Sequence, residues 1–305
     1  MRIVFVGSVD FSLHCLNEIV ANNGEVIAVL TLPKNLAGVH SDFVDLSEIA
    51  AQHGIPVYKL QKKITVPENV DLIKTLKPDI IFVCGWSQLI SKAILDIPPR
   101  GCIGTHPSLL PMGRGRHPLI WALVKGLEES GLTFFYIDEG ADTGDILWQE
   151  PFPIAIDDNA STLYKKIKSL ASKAIQEFFP QLEQGTAPRI AQDDSRATTW
   201  RKRTEKDGEI DWESSTIEIY NLIRALTHPY VGANTYFRGK KVLVWRTQIP
   251  KLPSRSESKL NPGMVIKKAD DHFEVRTGDG SLVITDYDFP EDHTISIGDQ
   301  LGIKP

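Results

Sequence analysis

Cysteine is scarce in this chain. Three residues in 305, Cys15, Cys84 and Cys102, lie far apart in apolar segments. That spacing makes neither a zinc ligand set nor a disulfide framework, and buried reduced thiols are expected. Long hydrophobic runs are missing too, so no segment reads as membrane-spanning. The opening "MRIVFVGSVDF" enters a strand pattern without the apolar core and small-residue cleavage site of a leader peptide, so a cytoplasmic protein with no membrane association is expected. Positive charge is thin: 34 Lys and Arg against 39 Asp and Glu give a net charge of −5. The absence of a basic face or stripe counts against a nucleic-acid partner. Glycine is short where a dinucleotide fold needs it. The first strand-to-helix turn, "VGSVDFSLHCL", offers Gly7 alone instead of G-x-G-x-x-G, so neither a nicotinamide nor a flavin is expected.

What is present is the composition of a globular protein, 42% hydrophobic and 24% charged. "RIVFV", "VIAVLTL", "DIIFVCG" and "CIGTH" are short apolar runs of strand length. Helical patterns over 11–20 and 43–54 alternate with them. This alternation predicts an α/β fold, a Rossmann-like, mostly parallel sheet covered on both faces. "LTFFYIDEG" and "DILWQEPFPI" extend the sheet. A helix over 161–179 carries Leu163, Ile167, Leu170, Ala174 and Phe178 on one stripe. Near residue 190 the chain turns polar. After one more helix, with Ile219, Leu222, Ile223 and Leu226 inward, come the strand patterns "KVLVWRTQI", "MVIKK", "HFEVRT" and "SLVITDY". "GDGS" at 278–281 marks a hairpin. The expected organisation is a catalytic domain over 1–190, a linker over 191–207, and a smaller β-rich, OB-like domain over 208–305. "KLPSRSESKLNPG" (251–263) reads as a mobile loop.

"CIGTHPSLLP" (102–111) puts His106 at the C-terminal end of a central strand, the edge where open parallel sheets bind ligands. A lone histidine there is equally suited to a structural hydrogen bond. Two neighbours favour chemistry. "GRGR" (113–116) offers two guanidiniums suited to a phosphate or carboxylate, or to plain solvent exposure. "DEGADTGDI" (138–146) packs four acids and two glycines between strands, without the spacing of a calcium loop. It reads as a tight loop that carries one acid into a site and keeps the others near solvent. An aspartate beside His106 would orient the imidazole and hold its proton.

"GTHPSLLP" followed by "DEGADTGDIL" resembles the 10-formyltetrahydrofolate-dependent formyltransferase family. This family includes methionyl-tRNA formyltransferase, glycinamide ribonucleotide transformylase and the sugar-nucleotide N-formyltransferases. "RKRTEKDGEIDW" and "IYNLIRALTHPYVGANTY" extend the resemblance over most of 1–250, nearest to the sugar-nucleotide enzymes. The resemblance implies attack of a primary amine on the formyl carbon of the folate, with no metal. His106 matches the histidine of the family's Asn-x-His pair and Asp142 its aspartate. His106 would take or shuttle the amine proton and, once charged, favour the oxyanion, while Asp142 would orient it. The pterin would sit beside Cys84, Gly85, Trp86, Gln88 and Leu89 and against Asp138, Glu139, Gly140 and Ala141. Ser8, Val9, Ser108, Pro111, Arg114, Arg116, Arg201, Arg203 and Arg224 would meet the acceptor, with Trp200 or Tyr230 for a base.

Gly104 departs from the family pattern, standing where the family asparagine donates to the formyl oxygen. Losing one such donor costs about a hundred- to a thousand-fold in rate. A backbone N–H, Thr105, Ser108 or a fixed water could replace it; the enzyme could be slower, or the acceptor could contribute; or the protein could bind without transferring. The loop after the second strand, where tRNA-acting members are basic, reads "PKNLAGVHSDFVDLSEI": Lys34 and His40 against Asp42, Asp45 and Glu48. Counterion release drives tRNA binding, so an amino-sugar nucleotide is the preferred acceptor, its product a formamido sugar for surface polysaccharide, and tRNA is disfavoured. The C-terminal domain could support a homodimer, close over substrate, or only stabilise the chain.

Overall fold

A computed structural model describes residues 1–39, 42–250, 260–289 and 294–304. His40 and positions 251–259 of the expected mobile loop lie outside the described residues. In chain order the elements are β1 (Arg2–Val6), α1 (Asp10–Ala21), β2 (Glu25–Thr31), α2 (Ser47–Gln52), β3 (Val57–Lys59), α3 (Pro67–Leu76), β4 (Ile80–Val83) and α4 (Lys92–Leu95). They continue as β5 (Cys102–His106), β6 (Arg114–Gly115), α5 (Pro118–Val124), β7 (Glu129–Tyr136), β8 (Ile146–Pro153), α6 (Ala160–Gln184) and β9 (Thr199–Trp200). The last are α7 (Thr216–Leu226), β10 (Ala233–Phe237), β11 (Lys240–Gln248), β12 (Val265–Lys268), β13 (Phe273–Arg276) and β14 (Ser281–Asp288).

A seven-stranded sheet, in the order β3-β2-β1-β4-β5-β7-β8, confirms the mostly parallel α/β reading. β2, β1, β4 and β5 run parallel, and β7 turns antiparallel against β5. The central strands are apolar without alternation because both their faces are covered. On one face Val4, Val6, Leu30, Ile81, Val83 and Cys102 form a continuous core. On the other, Phe82 and Phe134 meet Phe178 of α6 at 6.3 and 5.0 Å between ring centroids. The apolar stripe carries α6 past its expected end at residue 179 and through Pro180, because Phe178, Phe179 and Leu182 are all buried. Tertiary packing outweighs the helix-breaking residue there. The three cysteines are free and buried. Burial pushes the Cys102 thiol up to about 12, so this neighbour of the His106 turn is no nucleophile.

The chain divides into two compact units: Met1–Pro118 with Ser130–Pro153 and Tyr164–Arg201, and Leu119–Glu129 with Ile154–Leu163 and Lys202–Pro305. This division is discontinuous, whereas the expected one was contiguous. The second unit takes two segments from within 1–190, and much of the expected linker, through Arg201, belongs to the first. The second unit holds a five-stranded antiparallel sheet, β10-β11-β14-β13-β12, around Phe237, Val244, Phe273, Val275, Leu282 and Ile284. "GDGS" makes the expected hairpin, pairing Arg276 with Ser281. Among the described residues no helix is long and apolar enough to cross a membrane.

Candidate active site

β5 alternates its side chains, so Cys102, Gly104 and His106 share one face while Thr105 points to the other. His106 is 5% exposed at the strand end. The turn beyond it is internally bonded: the Ser108 hydroxyl donates to the Met112 carbonyl at 2.7 Å, and the Leu110–Pro111 peptide is cis. The imidazole Nε2 lies 2.8 Å from the Gly113 carbonyl oxygen. A carbonyl can only accept, so Nε2 carries the proton and Nδ1 is the nitrogen free to change state. Nδ1 faces Asp142 Oδ2 at 3.6 Å.

Asp142 sits in the loop between β7 and β8 with φ +59°. Its Oδ2 accepts the Gly115 N–H at 2.9 Å, and its own carbonyl accepts Gln192 Nε2 at 2.9 Å. Asp138 and Glu139 stay exposed, while Asp142 and Asp145 are both partly buried, so Asp142 is not the only acid of the loop drawn away from solvent. Asp138 ties the turn through Gly140 N–H and Thr143 Oγ1, and Glu139 pairs with Lys92. Two short strands complete the frame. β6 pairs in parallel with β9, and Gly115, at φ +106°, passes so close to the Trp200 carbonyl oxygen that a Cβ would lie 2.3 Å from it.

The side of His106 nearest Gly104 is built differently. A Cβ on Gly104 would meet Ile137 Cγ1 at 2.9 Å and Phe135 Cζ at 3.0 Å. The space is therefore occupied by hydrocarbon. Two of the substitute donors expected from sequence do not serve: Thr105 faces away from Gly104, and Ser108 spends its hydroxyl proton on Met112.

The model of the family described as "Formyl transferase" matches residues 1–178, and that described as "Formyl transferase, C-terminal domain" matches 202–302. The chain belongs to the formyltransferase family. It is 35% identical to the methionyl-tRNA formyltransferase of Geotalea daltonii, over 100% of this chain and 99% of that protein. The crystal structure of HypX from Aquifex aeolicus in complex with tetrahydrofolic acid superposes with a TM-score of 0.67 and 21% identity, over 94% of this chain and 44% of that one. An N-formyltransferase from Helicobacter canadensis, in complex with folinic acid and dTDP-3-aminofucose, superposes with a TM-score of 0.66 and 19% identity, covering 94% and 99%. The protein is an N-formyltransferase whose one-carbon donor is 10-formyltetrahydrofolate.

The other expected contacts of this formyltransferase divide. In the strand-end loop after β4, Cys84 is buried, Gly85 adopts φ +62° and Gln88 accepts the Ile64 N–H. Trp86 Nε1 in the same loop is buried without a partner among the described residues, whereas Leu89 is 70% exposed. Gly140 and Ala141 are exposed on the acidic loop between β7 and β8. Ser8 is fully buried, its hydroxyl without a partner among the described residues, beside buried Val9. Pro111 is buried in the turn.

The arginines required correction. Arg114 is no open fork: it is buried on Gln192 and Asp194. In the second unit Arg203 is buried on the Asp207 carbonyl and against the Trp121 ring. Arg224 there donates to the Ala155 and Asp158 carbonyls at 2.9 Å, and burial lowers its pKa. A buried guanidinium needs such partners, and these positions supply them from the fold itself. Arg116 donates to the Ser87 carbonyl at 2.7 Å and remains partly exposed, and Arg201 is exposed. The Trp200 ring lies against Gly113 and Tyr230 is half-buried. Gln192 and the backbone of 113–115 were not foreseen. The glycines of "GRGR" were the available signal.

Proposed function

We propose that this formyltransferase moves the formyl group of 10-formyltetrahydrofolate to the primary amine of an amino-sugar nucleotide, with His106 and Asp142 as the catalytic pair. The observation that carries the acceptor choice is the charge of the segment after β2. Lys34 and Lys59 both lie on Asp45, at 4.0 and 3.2 Å, while Asp42 accepts the Tyr164 hydroxyl at 2.6 Å. Burial pushes Asp45 up, but hydrogen bonds from Ser47 and Lys59 outweigh it, so the carboxylate stays charged below its ordinary range. With a net charge of −5, such a segment suits a small acceptor better than a polyanion.

The folate supplies an activated formyl group. The residues fit it through the loop over 84–89, with its buried Trp86 N–H, unpartnered among the described residues, and the loop over 138–141. Attack of the amine nitrogen on the formyl carbon would form a C–N bond, and the bond to N10 would break as N10 takes up the proton that the attacking nitrogen gives up, so that neutral tetrahydrofolate leaves. The ammonium proton must leave before attack, and Nδ1 of His106 is the nitrogen that receives it. Asp142 balances the imidazolium so formed. Arg116 and Arg201, which keep solvent exposure, are the acceptor contacts consistent with this reading.

The 35% identity to a methionyl-tRNA formyltransferase along the whole chain favours a second reading, with Met-tRNA as acceptor. Incubation with 10-formyltetrahydrofolate and a panel of dTDP- and UDP-linked amino sugars, beside Met-tRNA, separates the two by mass spectrometry of the products. A formylated sugar nucleotide is expected. Formylated Met-tRNA alone transfers the acceptor to the second reading, and no product on any amine, with folate still bound, removes the catalytic assignment.

A further inference from the structure

We infer that Gln192 and Arg114 are positioning residues for formyl transfer, holding Asp142 in place by its main chain. This rests on the reading of Asp142 as half of the catalytic pair. Asp142 occupies a left-handed conformation, φ +59°, which a residue with a side chain keeps only where its surroundings over-determine it. Gln192 supplies much of that determination. Its Nε2 donates to the carbonyl of Asp142 at 2.9 Å and to that of Gly144 at 2.7 Å, bridging the turn on both sides.

The amide can do this in one orientation only, and Arg114 sets it. Arg114 Nε and Nη2 donate to Gln192 Oε1 at 3.2 and 2.7 Å, and Nη2 also donates to Asp194 Oδ1 at 2.6 Å. A guanidinium has no acceptor, so the oxygen of the amide must face it and the NH2 must face the carbonyls. The Arg114 side chain is itself 10% exposed. Its backbone neighbours hold the catalytic pair directly, Gly113 through its carbonyl and Gly115 through its N–H. Thr198, just before β9, then fixes this short strand, its Oγ1 accepting the Gly113 N–H at 2.8 Å and its carbonyl the Arg114 N–H at 2.9 Å. The polar segment that reads as a linker is thus the outer wall of the catalytic frame. Gln192 touches no reacting atom in this scheme. It fixes where the carboxylate stands relative to Nδ1.

The test compares Gln192→Ala with Gln192→Glu, each alone and combined with Asp142→Asn, under single-turnover conditions with whichever amine the acceptor panel identifies. Gln192→Glu keeps an acceptor for Arg114 and strengthens that pairing, but sets a carboxylate oxygen against two carbonyls. Both variants are expected to lose about ten- to a hundred-fold in rate, the scale of a misplaced catalytic group. KM for 10-formyltetrahydrofolate should stay within about threefold, because the loss falls on the chemical step. Added to Asp142→Asn, neither should cost a further large factor, since residues acting as a unit are non-additive. A Gln192→Glu enzyme within about threefold of the parent rate would show that Gln192 serves only to anchor Arg114, and losses that multiply in the double variants would place its action elsewhere. Either result overturns the inference while Asp142→Asn remains impaired. Parent-like turnover in Asp142→Asn alone removes the catalytic reading underneath and the inference with it.

Discussion

Two regions flank His106, and they are built on opposite principles. On the side of 113–116 the imidazole and its aspartate are held by backbone groups, the Gly113 carbonyl and the Gly115 N–H, each at 2.8 to 2.9 Å. On the side of Gly104 the strand presents no polar side chain, and Ile137 with Phe135 fills the space. Backbone donors and acceptors lose no rotamer freedom when they bind a side chain, so the first region holds the imidazole and the carboxylate at little entropic cost. The second region is filled with hydrocarbon and adds no side-chain donor at position 104. On the proposed catalytic reading, the two flanks divide two tasks: the 113–116 side would handle the proton, while oxyanion stabilisation would rest on groups other than the side chain at position 104.

The comparison can be broken first at the histidine. His106→Ala should lower kcat by about a hundred- to ten-thousand-fold, the range of general acid–base catalysis, with folate binding retained in a fluorescence titration. Gly115→Ala attacks the wired side without touching a side chain. At φ +106° and 2.3 Å from the Trp200 carbonyl, the new methyl forces β6 away from β9. We expect a stability loss of about 1–3 kcal/mol by denaturant unfolding, with a parallel fall in kcat. The apolar side should also lose stability, and only added room there should raise the rate. Gly104→Asn alone crowds Ile137 and Phe135 and should destabilise by about 1–3 kcal/mol with no gain in rate. Paired with Ile137→Ala it gains room, and a rate above that of the parent enzyme would identify position 104 as a missing donor.

The smallest effect lies in the second unit. Asp279 accepts the Thr216 N–H and hydroxyl, both at 2.7 Å, and these bonds hold its carboxyl below the ordinary 3.8. Its contribution to stability is complete above that ordinary value and is lost as pH falls through the lowered one. Asp279→Asn should flatten this acid limb of the unfolding profile and leave kcat unchanged.

Much of this architecture was legible in the sequence because burial writes itself plainly. β1, β2, β4 and β5 are unbroken apolar runs, and the structure buries them on both faces. "GDGS" announced its hairpin through two glycines. β10 was missed because its turn to β11 is Arg238–Gly239, both at positive φ, where arginine gives none of the usual Asn, Asp or Gly signal. α6 outran its expected end because apolar residues on both sides of Pro180 hold it.

At the site, the meeting of His106 with the "ADTGD" loop was readable from motif order, while its support was not. Backbone groups leave no trace in residue identity, and a buried arginine looks in sequence like an exposed one. Hence Arg114, Arg203 and Arg224 were expected to face a ligand and instead face the fold. Gln192 was hidden by its polar surroundings, since nothing in "AQDDSR" distinguishes an amide that bridges two carbonyls from one in solvent.

The His106–Asp142 pair is the centre of this account, and the charge on Asp142 is its most exposed element. Asp142→Asn preserves size and can still accept the Gly115 N–H through its amide oxygen, yet it removes the counter-charge to the imidazolium. The decisive measurement is kcat of Asp142→Asn, set beside the Kd for 5-formyltetrahydrofolate. A fall in kcat of at least about a hundred-fold with an unchanged Kd is expected. A kcat near that of the parent enzyme would contradict the assignment of the pair.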